Sequence, residues 1–325
     1  MDILSVKLYG LVAIGRNEGE RLRACLESVV HQLEHVVYVD SGSTDGSVAM
    51  AQAMGVHVVE LDMAQPFTAA RARNAGWRAL LARAPYLQYV QFVDGDCILA
   101  EGWFASASGF LKEKKDYAVV AGRLRERFPE KTIYNYMCDV EWNTPVGDAK
   151  SCGGIAMIRL DALENVGGFR SELIAGEEPE LCVRLRHAGW KIHRLPNDMA
   201  WHDAAMTRFG QWWRRTVRGG HAFAEGAWLH GKAPERHWVK ETARALIWGG
   251  MLPVAIVGAG VVWSPWWLMA AVVYPLQIIR LAGRLPGGLP QAWLMVLGKF
   301  AEAVGVLKFY KSQLLRRQRA LIEYK

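Results

Sequence analysis

Apolar positions along the first hundred residues change period in a regular way. Residues 8–14 (LYGLVAI) are a short apolar run, as expected of a strand. In RNEGERLRACLESVVHQL, Leu22, Cys25, Leu26, Val29, Val30 and Leu33 recur at spacings of three and four. That spacing predicts a helix buried along one stripe. HVVYVDSGSTDGS gives a strand ending in a Gly/Ser/Asp turn, SVAMAQAMG a helix stopped by Gly55, and VHVVEL another strand. A further helix, AARARNAGWRALLAR, leads into YLQYVQFVDGDCIL, read as a strand. Strands alternating with helices predict an α/β fold, a parallel sheet joined by right-handed crossovers. Ligands of such sheets sit beyond the carboxyl ends of the strands. The polar residues at those ends are Asp40 and Ser41, then Asp94 and Asp96.

The pattern changes beyond residue 240. From Ala245 to Ile279 there are 35 residues without a charge. A straight helix of that length would run roughly 50 Å, well past an apolar slab of about 30 Å. Ser264-Pro265 falls near the middle, so the expectation is a helical hairpin, about 245–263 and 266–280, that spans a bilayer or dips in and returns. Trp263, Trp266 and Trp267 gather at its turn, where interfacial aromatics belong. A hairpin buried in a soluble domain is the alternative. In QAWLMVLGKFAEAVGVLKFYKSQLLRRQRALIEYK, which reads as one or two amphipathic helices, Trp293, Leu294, Leu297, Phe300, Ala301 and Val304 fall on one face. Lys308, Lys311, Arg316, Arg317 and Arg319 then make a basic run suited to anionic headgroups. The expected organisation is a main domain over 1–240 and a membrane-associated segment over 241–325.

Charge supports that division. Of 39 basic and 32 acidic residues, 10 and 3 lie in 241–325, which leaves 29 of each in 1–240. The whole excess of +7 therefore sits in the tail, and nucleic acid is not an expected partner of the main domain. At 51% hydrophobic and 22% charged, the 325-residue chain is too apolar for disorder and too charged for complete embedding in a bilayer. The five cysteines form no CxxC pair, so neither a disulfide framework nor a zinc site is expected, and a reducing cytosol is. MDILSVKLYG has no basic stretch followed by an apolar one, so a signal peptide is not expected.

Asp94-Gly95-Asp96 is the sharpest local signal. Two carboxylates one residue apart after an apolar strand repel unless a cation neutralises them. Hard oxygen ligands suit Mg²⁺ or Mn²⁺, which usually bridge substrate phosphates. In order along the chain, VAIGRNEGERLRACLESV, VYVDSGSTDGS, ARARNAGW, QFVDGDC, CGGIAMIRLDALENVGGF and GEEPELCVRLRHAGW resemble the motifs of family 2 glycosyltransferases, over about residues 8–225. The resemblance is to membrane-associated members that build bacterial polysaccharides and glycolipids.

It implies a GT-A fold, a Rossmann-like mixed and mainly parallel sheet with flanking helices. It implies that Asp40 meets the nucleotide base, Asp94 the ribose side and Asp96 the metal. Arg73 and Asp45 would line the nucleotide pocket. For Asp40 and Asp45 the alternative is plain turn chemistry, and for Arg73 it is pairing with a neighbouring acid. Glu177-Glu178 stands where the family shows Glu-Asp. The resemblance makes Glu178 the catalytic base and puts Glu177 in the donor-binding set, while Glu180 serves the helix dipole. Gly153, in Ser151-Cys152-Gly153-Gly154, would let the backbone approach the sugar. His202 is a second candidate metal ligand, with a structural histidine as the alternative. Gln211 and Arg214 faintly resemble the QxxRW element of processive synthases, but Arg215 replaces its final Trp, which makes processive polymerisation doubtful. These residues can also belong to an interfacial helix.

The expected activity is inverting, metal-dependent transfer of a sugar to a lipid-linked or other glycan acceptor near the membrane. The donor would be a nucleotide-diphospho sugar, a UDP-sugar first among them. The place would be the cytoplasmic face of the membrane. The alternatives are a sugar-phosphate nucleotidyltransferase, disfavoured because AIGRNEGERL offers only scattered glycines, and a non-catalytic membrane adaptor, disfavoured by Asp96 and Glu178.

Overall fold

The computed structural model describes residues 7–315. They divide into two compact units, one of residues 7–129 and 138–205, the other of 130–137 and 206–315. The first unit is built on one sheet. In chain order its elements begin β1 (Tyr9–Gly15), α1 (Glu20–Val30), β2 (Val36–Asp40), α2 (Ser47–Ala53), β3 (His57–Glu60) and α3 (Ala69–Arg83). β4 (Tyr89–Asp94), β5 (Cys97–Leu99), α4 (Trp103–Glu113) and β6 (Tyr117–Glu126) follow, then α5 (Ile133–Trp142), of which residues 138–142 belong to this unit. The last are β7 (Gly147–Asp148), β8 (Ala156–Arg159), α6 (Leu160–Asn165), α7 (Glu177–His187) and β9 (Lys191–His202).

The strand order is β3-β2-β1-β4-β8-β6-β9-β5, with β7 also on β9. β3, β2, β1 and β4 run parallel; β8 is antiparallel to both β4 and β6; β6 and β9 are parallel; β5 is antiparallel to β9. The sheet is mixed and mostly parallel with flanking helices, as the sequence leads one to expect.

The strand read over residues 86–99 is in fact two. β4 ends at Asp94 on the parallel side, and β5 starts at Cys97 against β9. The Gly95 amide donates to the Ile14 carbonyl (2.8 Å), which ties the turn between the two strands to the end of β1.

Helix packing follows the apolar stripes. Leu22, Cys25, Leu26 and Val29 of α1 are buried. α3 starts where the Thr68 hydroxyl accepts the Arg71 amide (3.0 Å), an N-cap. It crosses the sheet at Gly76, where a Cβ would stand 2.2 Å from Val12 Cγ1. That close approach fixes the height of Arg73 and Asn74, one turn earlier, over the strand ends.

The second unit is helical: α8 (Phe209–His230), α9 (Val239–Leu246), α10 (Leu252–Val262), α11 (Val273–Ala282) and α12 (Gly288–Leu314). α9 and α10 join through a π-helical stretch, Ile247–Met251, and a 3₁₀ stretch, Pro265–Val272, leads into α11. Val239–Val262 and Pro265–Ala282 are long and apolar enough to cross a membrane by length and composition. Val254, Val261 and Trp266 on them, and Trp263 between them, are exposed.

The face that α12 buries differs from the expected one. Trp293 and Val304 are exposed, while Ala292, Gly298, Ala301, Ala303 and Gly305 are buried beside Leu294, Val306 and Phe309. Small residues decide it, because they let backbones touch. A Cβ on Gly305 would lie 2.0 Å from the Val217 carbonyl of α8, and one on Gly220 of α8 2.0 Å from the Glu302 carbonyl. Lys308 and Lys311 are exposed on α12; Arg316, Arg317 and Arg319 of the basic run lie outside the described residues.

Candidate active site

Register brings the first acids together. Gly15 of β1 pairs with Asp40 of β2, and Ile14 of β1 with Asp94 of β4, so Asp40 and Asp94 flank the carboxyl end of the same strand. The Asp40 side chain is buried. Its Oδ1 accepts from the Tyr38 hydroxyl (2.8 Å), and its Oδ2 from the amides of Gly42 (2.9 Å) and Ser43 (2.8 Å). It thereby shapes the turn that presents it. Asp45 is a turn residue too: its Oδ1 accepts from the amide and hydroxyl of Ser47 at the start of α2.

Arg73 ties two motifs into one site. Its guanidinium, 2% exposed, donates from Nη2 to Asp94 Oδ1 (2.9 Å) and from Nη1 to Glu177 Oε1 (2.6 Å). Burial opposes the charge, but Asp94 and Glu177 more than offset it and hold the pKa above the ordinary value. Gly154 makes room, since a Cβ there would meet Nη2 at 2.8 Å. Asn74 staples the following turn: its Nδ2 donates to the Phe169 carbonyl (2.7 Å), and its Oδ1 accepts the Phe169 amide (3.0 Å). Gly167-Gly168-Phe169 is thus structural, and Gly168 has φ 75°.

Asp96 belongs to a second group. Cys97 of β5 pairs with His202 of β9, so His202 arrives beside Asp96, with Nε2 3.3 Å from Oδ2. The Trp142 ring packs edge-on against the imidazole at 4.7 Å. The other ring nitrogen, Nδ1, is buried without a hydrogen-bond partner and faces Glu126 Oε2 at 3.8 Å. Glu126 is placed by the amides of Phe128 (3.1 Å) and Ala204 (3.1 Å). A buried carboxylate and an imidazole on adjacent strands suit a divalent cation that takes oxygen and nitrogen, Mn²⁺ more readily than Mg²⁺.

Glu178 sits in different surroundings. It lies in the first turn of α7, after Gly176 (φ 77°), and is buried. Its Oε1 accepts from the Cys152 amide (2.7 Å), the Cys152 thiol (2.9 Å) and the Cys182 thiol (2.8 Å). Burial raises its pKa above the ordinary carboxylate value, and the Cys152 and Cys182 hydrogen bonds only partly oppose that. Gly153, with φ 88°, makes the bend that brings Cys152 to Glu178. Glu180 is structural: Arg184 Nε (2.9 Å) and Arg170 Nε (2.7 Å) both reach its carboxylate.

Gln211 and Arg214 belong to the helical unit, in the first turns of α8. The Gln211 side-chain oxygen accepts from the amides of Thr207 (3.0 Å) and Arg208 (3.0 Å) and so caps that helix. Sequence reasoning missed Glu126, Trp142 and the two thiols. RLRERF reads as a solvated charged stretch, and a pair of cysteines 30 residues apart carries no local pattern.

The mixed sheet with flanking helices is like that of GT-A glycosyltransferases. Residues 12–166 match the family model "Glycosyl transferase family 2". Glycosyltransferase AglE of Haloferax volcanii is 24% identical over 221 residues, 63% of this chain and 69% of AglE. Among solved structures, the mannosyltransferase PcManGT of Pyrobaculum calidifontis, in complex with GDP-Man and Mn²⁺, superposes with a TM-score of 0.64 at 20% identity. It covers 92% of this chain and 86% of that one. S. aureus TarS 1-349, in complex with UDP-GlcNAc, superposes with a TM-score of 0.51 at 13% identity over 95% of this chain and 92% of that one. At these identities the superpositions speak for the fold.

Proposed function

We propose that the chain is an inverting, metal-dependent glycosyltransferase that moves a sugar from a nucleotide-diphospho donor to a lipid-linked or membrane-proximal hydroxyl. The observation that carries this reading is the double ion pair of Arg73, which joins the Asp94 turn to the Glu177-Glu178 helix start at one end of the sheet. Donor-side and base-side carboxylates then share one site.

Asp96 and His202 would hold the divalent ion, whose chemistry when bound would be Lewis-acid stabilisation of charge on a departing diphosphate. The Mn²⁺ and GDP-Man bound to PcManGT support a cation and a nucleotide sugar here. Asp40 and Asp94 face the nucleoside, a UDP-sugar first among candidates. Arg73 and Glu177 set the diphosphate side, and Gly153 keeps the sugar side open. Glu178 takes the proton from the acceptor hydroxyl as it attacks the anomeric carbon. Attack from the side opposite the leaving group inverts that centre.

The active domain is residues 1–240. The helices over about 245–280 and the basic tail hold it to anionic lipid at the cytoplasmic face of a membrane. The exposed tryptophans at the helix turn support this.

The test is hydrolysis of a panel of GDP- and UDP-sugars with Mn²⁺ or Mg²⁺ by the full chain in detergent. Turnover of one donor, lost on chelation and restored by Mn²⁺, is the expected result. Absence of turnover and of binding for every donor would end the reading. Flotation with anionic vesicles tests the attachment: the full chain should float and residues 1–240 should stay behind.

A further inference from the structure

Three ligand-type atoms converge away from the Asp96 group. Cys152 Sγ, Cys182 Sγ and a Glu178 oxygen all lie within 4.8 Å of one another. Both thiols donate to the same oxygen, Glu178 Oε1, at 2.9 and 2.8 Å, and the sulfurs are 3.9 Å apart. Zn–S bonds of about 2.3 Å at tetrahedral angles put two sulfurs about 3.8 Å apart, so the pair already has the spacing of a zinc edge.

Charge balance favours exchange. Two thiols and one carboxylate carry a single negative charge; two thiolates, the carboxylate and a dication carry the same. Replacing two protons by one cation leaves the net charge of this buried cluster unchanged, which avoids the main cost of burying an ion. Cys152 is half-buried, which gives an approach from solvent, and three protein ligands leave a fourth tetrahedral position open. Two sulfur ligands select a thiophilic ion and reject Mg²⁺ and Mn²⁺.

We propose that Cys152, Cys182 and Glu178 form a second cation site, specific for a thiophilic divalent ion of the Zn²⁺ class, and that its occupation silences transfer. Zn²⁺ enters, both thiol protons leave to solvent, and Glu178 gives its carboxylate to the ion instead of to the acceptor proton. The silencing rests on Glu178 being the base; the binding does not.

The experiment uses the reduced full chain in detergent with excess Mn²⁺. Zn²⁺ is titrated into H202A, in which the imidazole beside Asp96 no longer competes. One Zn²⁺ per chain and release of about two protons are expected. In this background, C152S and C182A should each weaken Zn²⁺ binding by at least about 10–100-fold, the loss typical of removing even an outer-shell partner. C152S preserves shape on a half-buried loop, so it keeps the test open if C182A folds poorly. Unchanged affinity in both variants, or no Zn²⁺ bound at all, overturns the site and leaves the base reading untouched.

Inhibition is then read in the chain with His202 intact, each protein against its own Zn²⁺-free rate. Zn²⁺ should stop the parent enzyme at concentrations that spare C152S. Tight binding with full turnover would keep the site and remove Glu178 as the base.

Discussion

The two acid clusters of the sheet unit are assembled on opposite principles. Around Asp94 and Glu177 the partner is a buried cation, Arg73, and charge balances charge. Around Glu178 the partners are neutral donors, two thiols and an amide, and burial raises the acid's pKa. Glu177 and Glu178 are neighbours on one helix turn, yet one pairs with a buried arginine while the other meets only neutral donors. A diphosphate needs fixed charge that does not titrate; a general base needs an acid whose protonation can change near working pH. Environment, not residue type, divides these roles.

The sharpest way to break this contrast is E178Q. Shape and the neutral donors are nearly kept and the base is lost, so kcat should fall about 10²–10⁴-fold, the usual share of general base catalysis. Donor affinity, measured by calorimetry in the presence of Mn²⁺, should hold. Full turnover in E178Q would remove Glu178 from the chemistry.

R73M attacks the other cluster and should act on the fold as well. It leaves Asp94 and Glu177 facing each other without a cation, and breaking a buried pair in this way costs about 3–5 kcal/mol. Denaturant unfolding should show the loss. An effect below about 1 kcal/mol would mean that solvent reaches these carboxylates as it does an exposed pair. Glu126 sharpens the metal half. If it orients His202, E126Q should weaken Mn²⁺ binding about 10–100-fold, read by Mn²⁺ titration without substrate. Equal affinity in E126Q and the parent would reduce Glu126 to a turn anchor for Phe128 and Ala204.

Much of this was legible in the chain itself. Strand and helix order through Asp94, the buried stripe of α1 and the strand-end positions of Asp40 and Asp94 follow from local period and turn chemistry. What local pattern does not show is non-local. Cys97 and His202 meet only because β5 turns antiparallel onto β9, and nothing near Asp96 announces that. Cys152 and Cys182 share no spacing motif, and only a left-handed Gly153 folds one onto the other. On α12, counting large apolar residues selected Trp293 and Val304, whereas backbone contact through Gly305 and Gly220 set the buried face. Local pattern reports which residues are apolar; it does not report which elements touch.

The smallest expected effect is also the most diagnostic of the contrast. Burial favours the protonated form of Glu178, so its folded-state pKa lies above the ordinary carboxylate value. Activity needs the carboxylate, so kcat/KM should rise as pH climbs through that raised value. Stability runs the other way. A group whose pKa is raised by folding contributes fully below its unfolded pKa and loses that contribution as pH rises through the folded one. Between the two values, activity should therefore rise with pH while the melting temperature falls slightly, and E178Q should flatten the melting trend there. The Cys182 thiol favours the ionised form by donating to it. C182A should move the acid limb to higher pH, and C182S, which restores a donor, should move it back. A limb that stays put in C182A would mean that the thiols only fill space around the acid. The neutral cluster would then tune nothing, and the ion pair of Glu177 with Arg73 would be what separates the two acids.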